Sequence, residues 1–463
     1  MTSPLPANDP SALTARLQET DLRHHMHPFT DHQEMTLEGG PRVISRAEGA
    51  CLFDSEGNRL IDGMGGLWCV NMGYGRSELL DAAAAQMREL PYYNTFFKTT
   101  TPVAAELAAD LARVTPAGLD RVFFANSGSE ANDTNIRLAR SYWARLGQPE
   151  RRAIISRKFA YHGSTIAAAS LTGLDSMHDI PGVPIPDIHH APAPFWWAEG
   201  GARSPEEHGR HAAQGLEETI RAVGPENIAA FIGEPVQGAG GVIVPPPGYW
   251  EEVQRICARH DILLIADEVI TGFGRTGNWF GCETYDIRPD IMTVAKGLSS
   301  GYLPISASIF GDRLAEVLLE RPGRFPHGYT YSGHPVAAAV ARANLALMQR
   351  ERIVERVRDD IGPYFMERLR SLLDHPLVGE VRGVGLMAAV ELTRDKAGRA
   401  PVEHVGSLAT PVRNLCFARG LVTRAVRDCL VFSPPLIISE GEIDEAVGIL
   451  RGSLDAVAGD TGG

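Results

Sequence analysis

The chain has 463 residues, 44% of them apolar, which is ample for a large buried core; its 44 Lys and Arg against 57 Asp and Glu leave a formal charge of −13. That acidic balance, with no long basic run, argues against nucleic acid or anionic membrane as a general partner, because both demand concentrated positive charge. Six widely spaced cysteines (Cys51, Cys69, Cys257, Cys282, Cys416, Cys429) form no CxxC pair, and no apolar stretch approaches the ~20 residues of a membrane span. Free thiols in a reducing, cytoplasmic setting are expected, and the polar N-terminal stretch predicts no secretory leader.

In chain order, residues 1–20 and 459–463 are expected to fray. His24, His25, His27 and His32 crowd the N-terminal arm. No Cys or carboxylate pattern completes a metal site there, so the expectation is an arm that contacts a partner subunit, with no metal. Residues 41–62 alternate short apolar groups around Asp54-Ser55-Glu56-Gly57-Asn58, as a hairpin would. Residues 81–90 read as an ordinary packed helix. From about residue 100 to 310, helical periodicity alternates with apolar runs at 121–125, 153–156, 228–233, 262–267 and 291–295. Such runs between helices mark a parallel sheet covered on both faces. Residues 336–372 predict long helices, followed by strand-like 381–392 and 429–433. The expected organisation is α/β. Residues 1–64 supply an arm and part of a small domain, 65–330 a large domain, and 331–463 a small C-terminal α+β domain.

Functional groups in such sheets gather where strands end, so the residues that stop each run carry the reading. The first run stops at Asn126-Ser127-Gly128-Ser129-Glu130 and a helix begins. Free N–H groups and the positive helix end suit a phosphate there, although a Ser N-cap on a Gly turn explains the same letters. Tyr161 and His162 follow the second run, and Glu234-Pro235 with a glycine turn follows the third. The fourth run drives an apolar strand straight into Asp267-Glu268, a costly place for an acid without a cation nearby. The fifth ends at Lys296, whose amine would be pushed toward its neutral, nucleophilic form by burial. Each signal alone has a structural explanation. Together they supply a phosphate cradle, an aromatic lid, an acid and an amine, a set that fits pyridoxal phosphate.

With those residues in hand, the chain resembles the class III aminotransferases of fold type I, particularly the amine:pyruvate or ω-transaminase group. The segment from Leu263 to Lys296 carries the likeness most densely, as an apolar strand, Asp-Glu, Gly-Phe-Gly-Arg-Thr-Gly and Ala-Lys-Gly. The resemblance implies a large domain with a mostly parallel seven-stranded sheet flanked by helices, and a smaller α+β domain. It also implies Lys296 as the amine bonded to the cofactor and Asp267 as partner of its ring nitrogen. Val269 and Tyr161 would lie on the two ring faces, Gly128 and Ser129 on the phosphate, and Glu234 and His162 in support. Thr330 would reach the phosphate of a neighbouring subunit, which implies a homodimer with shared active sites. Phe29, Trp68 and Phe96 resemble the aromatic walls of the substrate pocket, and Arg424 the mobile arginine that binds a substrate carboxylate. Arg427, three residues later, leaves open which guanidinium faces the ligand.

The implied reaction moves an amino group from a primary amine or ω-amino acid to a keto acid such as pyruvate. Rivals sharing the cofactor are narrow β-alanine, taurine or γ-aminobutyrate transaminases, an aminomutase and a decarboxylase. Gly272-Phe273-Gly274-Arg275-Thr276-Gly277 also matches GxGxxG, which raises a nicotinamide-dependent dehydrogenase. The residues after it do not open the helix that a dinucleotide site requires, and Asp267-Glu268 would repel a pyrophosphate. A non-enzymatic binding protein on the same fold would have no need to keep both Lys296 and Asp267.

Overall fold

The computed structural model describes residues 10–459 except residue 401. One seven-stranded sheet organises it. Leu119–Ala125 is followed across the sheet by Ser306–Gly311, Ile291–Val294, Leu263–Asp267, Ile228–Gly233, Ala153–Arg157 and Ile188–Ala191. The last five of these run parallel to one another, whereas Ser306–Gly311 is antiparallel to both of its neighbours.

The side-chain period of two decides what each face meets. Leu263 and Ile265 point into a cluster with Ile136, Leu138 and Trp143 of helix Gly128–Arg145. Leu264 and Ala266 point the other way, into the larger core with Val253, Ile256 and Cys257 of helix Tyr249–Arg259. The strand is therefore buried along its whole length. Its apolar continuity in sequence has the physical cause that was expected of a sheet covered on both sides.

Two strands escaped the sequence reading. Ile188–Ala191 carries His189 and His190 in its middle, and Ser306–Gly311 opens Ser-Ala-Ser. Those serines lie buried because their hydroxyls donate to the helix beside them: Ser306 Oγ to Ser127 O at 2.7 Å and Ser308 Oγ to Ala131 O at 3.0 Å. A hydroxyl that looks like loop chemistry is satisfied by a neighbouring helical turn instead.

One expectation is extended and two change. The hairpin expected over residues 41–62 forms, Cys51–Asp54 antiparallel to Arg59–Asp62, with a further strand, Ile44–Glu48, on one side and a parallel pairing to Leu421–Val422 on the other. The turn between the second and third forms because Asp54 Oδ1 accepts the N–H groups of Glu56 and Asn58. The strand expected over 381–392 is a hairpin, Val378–Val384 with Met387–Leu392, broken at Gly385 with φ +56°. A Cβ on Gly385 would lie 2.4 Å from Arg275 O, so only glycine fits. The expected fraying at the N-terminus is replaced by helix Pro10–His24, which Gln18 ties to Pro41 O at 3.1 Å. Helix Glu440–Gly459 likewise continues through Gly459. Residues 1–9 and 460–463 of that expectation lie outside the described residues.

The hairpin, the C-terminal strand Cys429–Phe432 and Arg424–Val426 make a second four-stranded sheet. It is joined to the large sheet through Arg275, in the glycine turn after Asp267. The fully buried guanidinium donates to Leu386 O, Pro434 O and Asn71 Oδ1 at 2.9, 2.5 and 3.1 Å. All three acceptors are neutral, so burial pulls this cation down to about 9. No helix among the described residues is long and apolar enough to cross a membrane.

The two-sided core makes a test. Ile265, 1% exposed at the centre of the sheet, should cost about 2–5 kcal/mol when cut to Ala. The guanidinium unfolding midpoint would fall with little change in slope.

Candidate active site

The strand ends converge on a cavity of about 360 Å³. Its wall includes Gly128, Ser129, Tyr161, His162, Glu234, Asp267, Val269 and Lys296, which brings together eight of the residues singled out from the sequence. Ser127 caps the helix that begins at Gly128, its Oγ accepting the Glu130 N–H at 3.2 Å. Gly128 lacks a side chain for a reason: a Cβ there would press on Val269 Cγ2 at 3.0 Å. Gly163, at φ +137°, holds Ser129 close, and the Ser164 N–H donates to Ser129 Oγ at 3.0 Å.

Asp267 sits at the end of its apolar strand, 3% exposed. His162 Nδ1 and Asn132 Nδ2 both donate to Asp267 Oδ2, at 2.7 and 2.8 Å, while the Val269 N–H donates to Oδ1 at 3.1 Å. Asn132 is held in turn by Thr293, whose hydroxyl donates to its Oδ1 at 2.8 Å, and by His162 O, which accepts its second N–H. Three donors satisfy the hydrogen-bonding capacity of this buried carboxylate.

Lys296 follows two residues after the neighbouring strand, at φ +40°. Burial pulls its amine below the ordinary lysine value, while Asp267 opposes that shift. Glu234 is pushed up to about 8, first by burial and then by the charge of Asp267. Among the described residues, neither Glu234 oxygen has a hydrogen-bond partner of good geometry, and neither has His162 Nε2.

The structure leaves other expected residues outside this wall. Phe29 is 75% exposed on the N-terminal segment. Phe96 lines a separate hollow with Thr99, Phe123 and His327. Trp68 is 2% exposed and packs with Met64, Val236 and Ile270, because the chain kinks at Gly66 and turns the indole inward. Leu67, 59% exposed, lines the cavity in its place. Thr330 is exposed on the segment beside Tyr92, which donates to Thr330 O at 2.7 Å. Arg424 is exposed, and its positive charge is felt by Lys296. Arg427 is engaged elsewhere, donating to Gly240 O at 2.8 Å.

Sequence reasoning missed Asn132, Thr293 and Glu268. The signal for the first was a run of polar residues, Asn132, Thr134 and Asn135, all buried inside one helix. Glu268 accepts from Thr271 Oγ1, Gly281 N and Cys282 N at 2.5, 2.9 and 2.6 Å. It thereby closes the glycine turn that resembled a dinucleotide loop; the helix after that turn has only four residues, Gly281–Thr284. The N-terminal histidines do meet a carboxylate: Asp21 accepts from His25 and His27 at 2.9 and 2.5 Å. Those three are the one group among the described residues with metal-ligand proximity.

A helix start facing a polar hollow, a buried acid and a desolvated amine at the cavity suit the phosphate, ring nitrogen and aldehyde of pyridoxal phosphate. The unpartnered Glu234 and His162 atoms give its polar edge groups somewhere to bond. Fold and site together define a fold type I pyridoxal-phosphate enzyme. The chain belongs to the class-III aminotransferase family, whose model matches residues 35–454. It is 51% identical to a putrescine–pyruvate aminotransferase of Pseudomonas aeruginosa, over 97% of this chain and 98% of that protein. It is 41% identical to gamma aminobutyrate transaminase 3, chloroplastic, of Solanum lycopersicum, over 94% of this chain and 86% of that one. The crystal structure of an omega transaminase from Pseudomonas jessenii in complex with PMP superposes with a TM-score of 0.94 at 42% identity, over 96% of this chain and all of that one. The protein is thus a pyridoxal-phosphate-dependent transaminase, and the dehydrogenase reading falls away.

The raised Glu234 carboxyl has a consequence for stability. Between its ordinary value near 4.5 and about 8 it is protonated in the fold and ionised in the unfolded chain. The unfolded state then binds fewer protons, so stability falls as pH rises through that window. Cofactor-free protein should lose thermal midpoint from pH 5 to 8, and Glu234→Gln should flatten that slope.

Proposed function

We propose that this transaminase takes its amino group from unbranched primary amines, diamines among them, and delivers it to pyruvate. The observation that carries the reading is the 51% identity to a putrescine–pyruvate aminotransferase along nearly the whole of both chains. The γ-aminobutyrate transaminases stand further off at 41%. The charge of Arg424 bears on Lys296, and Tyr161 bears on Arg424 in turn, which supports one carboxylate-binding cation for the keto acid. Its guanidinium presents two parallel N–H groups to such a group, and it can turn outward when an uncharged alkyl chain enters.

Bound pyridoxal phosphate supplies the electron sink and holds the amino group between the two half-reactions. The N–H groups around Gly128 and Ser129 would hold its phosphate. Asp267, oriented by His162, Asn132 and the Val269 N–H, would pair with the ring nitrogen. Val269 and Tyr161 would hold the ring between them. The Lys296 amine, whose charge burial disfavours, would take a proton from the substrate carbon and return it on the other side of the transfer. Glu234 and His162 support the ring's polar edge.

The working unit is read as a homodimer in the cytoplasm. Thr330 lies on the surface rather than in this chain's own cavity. Tyr93, Phe97 and Tyr331 nearby are 48%, 90% and 58% exposed, an apolar patch that a second copy would cover. Six cysteines without a disulfide suit a reducing compartment.

Two substitutions test the chemistry. Lys296→Ala should lower kcat by about 10³-fold or more, the scale of a lost acid–base group, with cofactor binding partly retained through the phosphate contacts. In the cofactor-free protein, the rate at which Lys296 combines with added pyridoxal phosphate should rise with pH toward a midpoint below the ~10.4 of free lysine. Arg424→Ala should raise the KM for pyruvate by about tenfold or more, one charge-assisted contact, and leave the half-reaction with putrescine near its original rate. Equal losses with both substrates would mean that Arg424 is structural. A strong preference for γ-aminobutyrate over putrescine would move the donor to ω-amino acids.

A further inference from the structure

Two arginines stand three residues apart on one hairpin, and they are treated in opposite ways. Arg424–Val426 pairs antiparallel with Cys429–Phe432, in the register Arg424 with Val431 and Val426 with Cys429. No hydrogen bond or ion pair to another described residue holds the Arg424 guanidinium. Arg427, in the two-residue turn, is fixed from several sides. Its Nη2 donates to Gly240 O at 2.8 Å, and its guanidinium carbon lies 4.8 Å from the Phe159 ring centre and 5.1 Å from that of Phe195.

The turn needs that grip. Arg427 adopts φ +52°, a conformation that tight hairpin turns ordinarily give to Gly or Asn and that a long side chain holds only when its surroundings enforce it. Asp428 beside it secures the other flank, accepting the N–H groups of Gly406, Leu408 and Ala409 at 2.8, 3.0 and 3.4 Å. The loop that receives Arg427 is itself rigid. Arg382 donates to Gly241 O and Val242 O at 2.6 and 3.0 Å, and is paired with Glu380 and Glu391 at 2.7 Å each. A Cβ on Gly240 would fall 2.3 Å from Phe159 O, so this loop is packed hard against the segment that leads to Tyr161. Gln237 ties the two again, donating to Lys158 O at 2.8 Å.

We infer that Arg427 is a positioning residue for keto-acid recognition: it locks the turn of the hairpin to the Gly240 loop and so fixes the base from which Arg424 reaches the substrate carboxylate. This rests on the reading of Arg424 given above. Arg427 does not meet substrate. It shortens the search of a long, free side chain by holding its backbone in register with Tyr161 and Lys296, so its loss is felt in acceptor binding and not in amine chemistry.

The test is a double-mutant cycle on the holoenzyme, with pyruvate KM and the putrescine half-reaction measured separately. Arg427→Ala is expected to raise pyruvate KM by about tenfold, the scale of one hydrogen bond from a charged group, with the putrescine half-reaction little altered. In an Arg424→Ala background the same change should add less than about twofold, because its effect passes through Arg424. Amide hydrogen exchange at Ala425 to Leu430 should quicken in Arg427→Ala even without substrate. If the alanine variant folds poorly, Arg427→Lys, which keeps a cation but not the planar fork, should show the same pattern at about threefold. Unchanged pyruvate KM in these variants, equal losses in both half-reactions, or losses that multiply in the double variant would each overturn the inference. Arg424→Ala with unaltered pyruvate KM would remove the carboxylate reading itself, and the inference with it.

Discussion

The site depends on placing an acid and an amine at the ends of adjacent strands whose interiors exclude water. Leu263–Asp267 and Ile291–Val294 pair in parallel, with Asp267 opposite Thr293, so both chemical groups emerge from the same edge of the sheet. Three hydrogen-bond donors satisfy the Asp267 carboxylate, while burial leaves Lys296 with a weakened hold on its proton. A solvent-exposed pair with the same letters would have an ordinary lysine and no reason to share a cavity.

The other polar groups arrange themselves around this constraint. Asn132 serves Asp267 only because Thr293, from the strand that delivers Lys296, fixes its amide. Glu268 faces away from Asp267 and closes the glycine turn by accepting three hydrogen bonds. Arg275 leaves that turn to bond to the hairpin at Leu386 and the C-terminal segment at Pro434. A single loop after one strand therefore carries the acid toward the cavity, a brace for itself and a tie to the second sheet. Arg424 and Arg427 differ in the same way, one guanidinium without a side-chain hydrogen bond to another described residue and its neighbour spent on holding the Gly240 loop.

Much of this was legible as letters. Five of the seven strands, the helix start at Gly128, and Tyr161, Glu234, Asp267 and Lys296 in the cavity could be read because each is local: an apolar run, then a polar stop. Ser306–Gly311 was not legible, because its serines are buried by hydroxyl bonds to a helix far away in sequence. Trp68 was read as a pocket wall, yet a kink at Gly66 turns it into the core and brings Leu67 to the cavity. Thr330, Phe29 and Phe96 carry no periodicity that says which surface they face.

The sequence by itself determined the chemistry available, since an acid and an amine closing two apolar strands beside a glycine-rich helix start admit few uses. It also determined that the sheet has a covered interior, because apolar runs of that length have to be buried on both faces. Only the tertiary structure decided which polar groups touch Asp267, that Glu268 and Arg275 are structural, and that Arg427 is bound while Arg424 is free. Glu268 finds its partners within fourteen residues, but Arg427, Arg275 and Asn132 depend on partners more than a hundred residues away, at Gly240, Leu386 and Thr293. No local pattern records a contact whose other half lies on a distant strand.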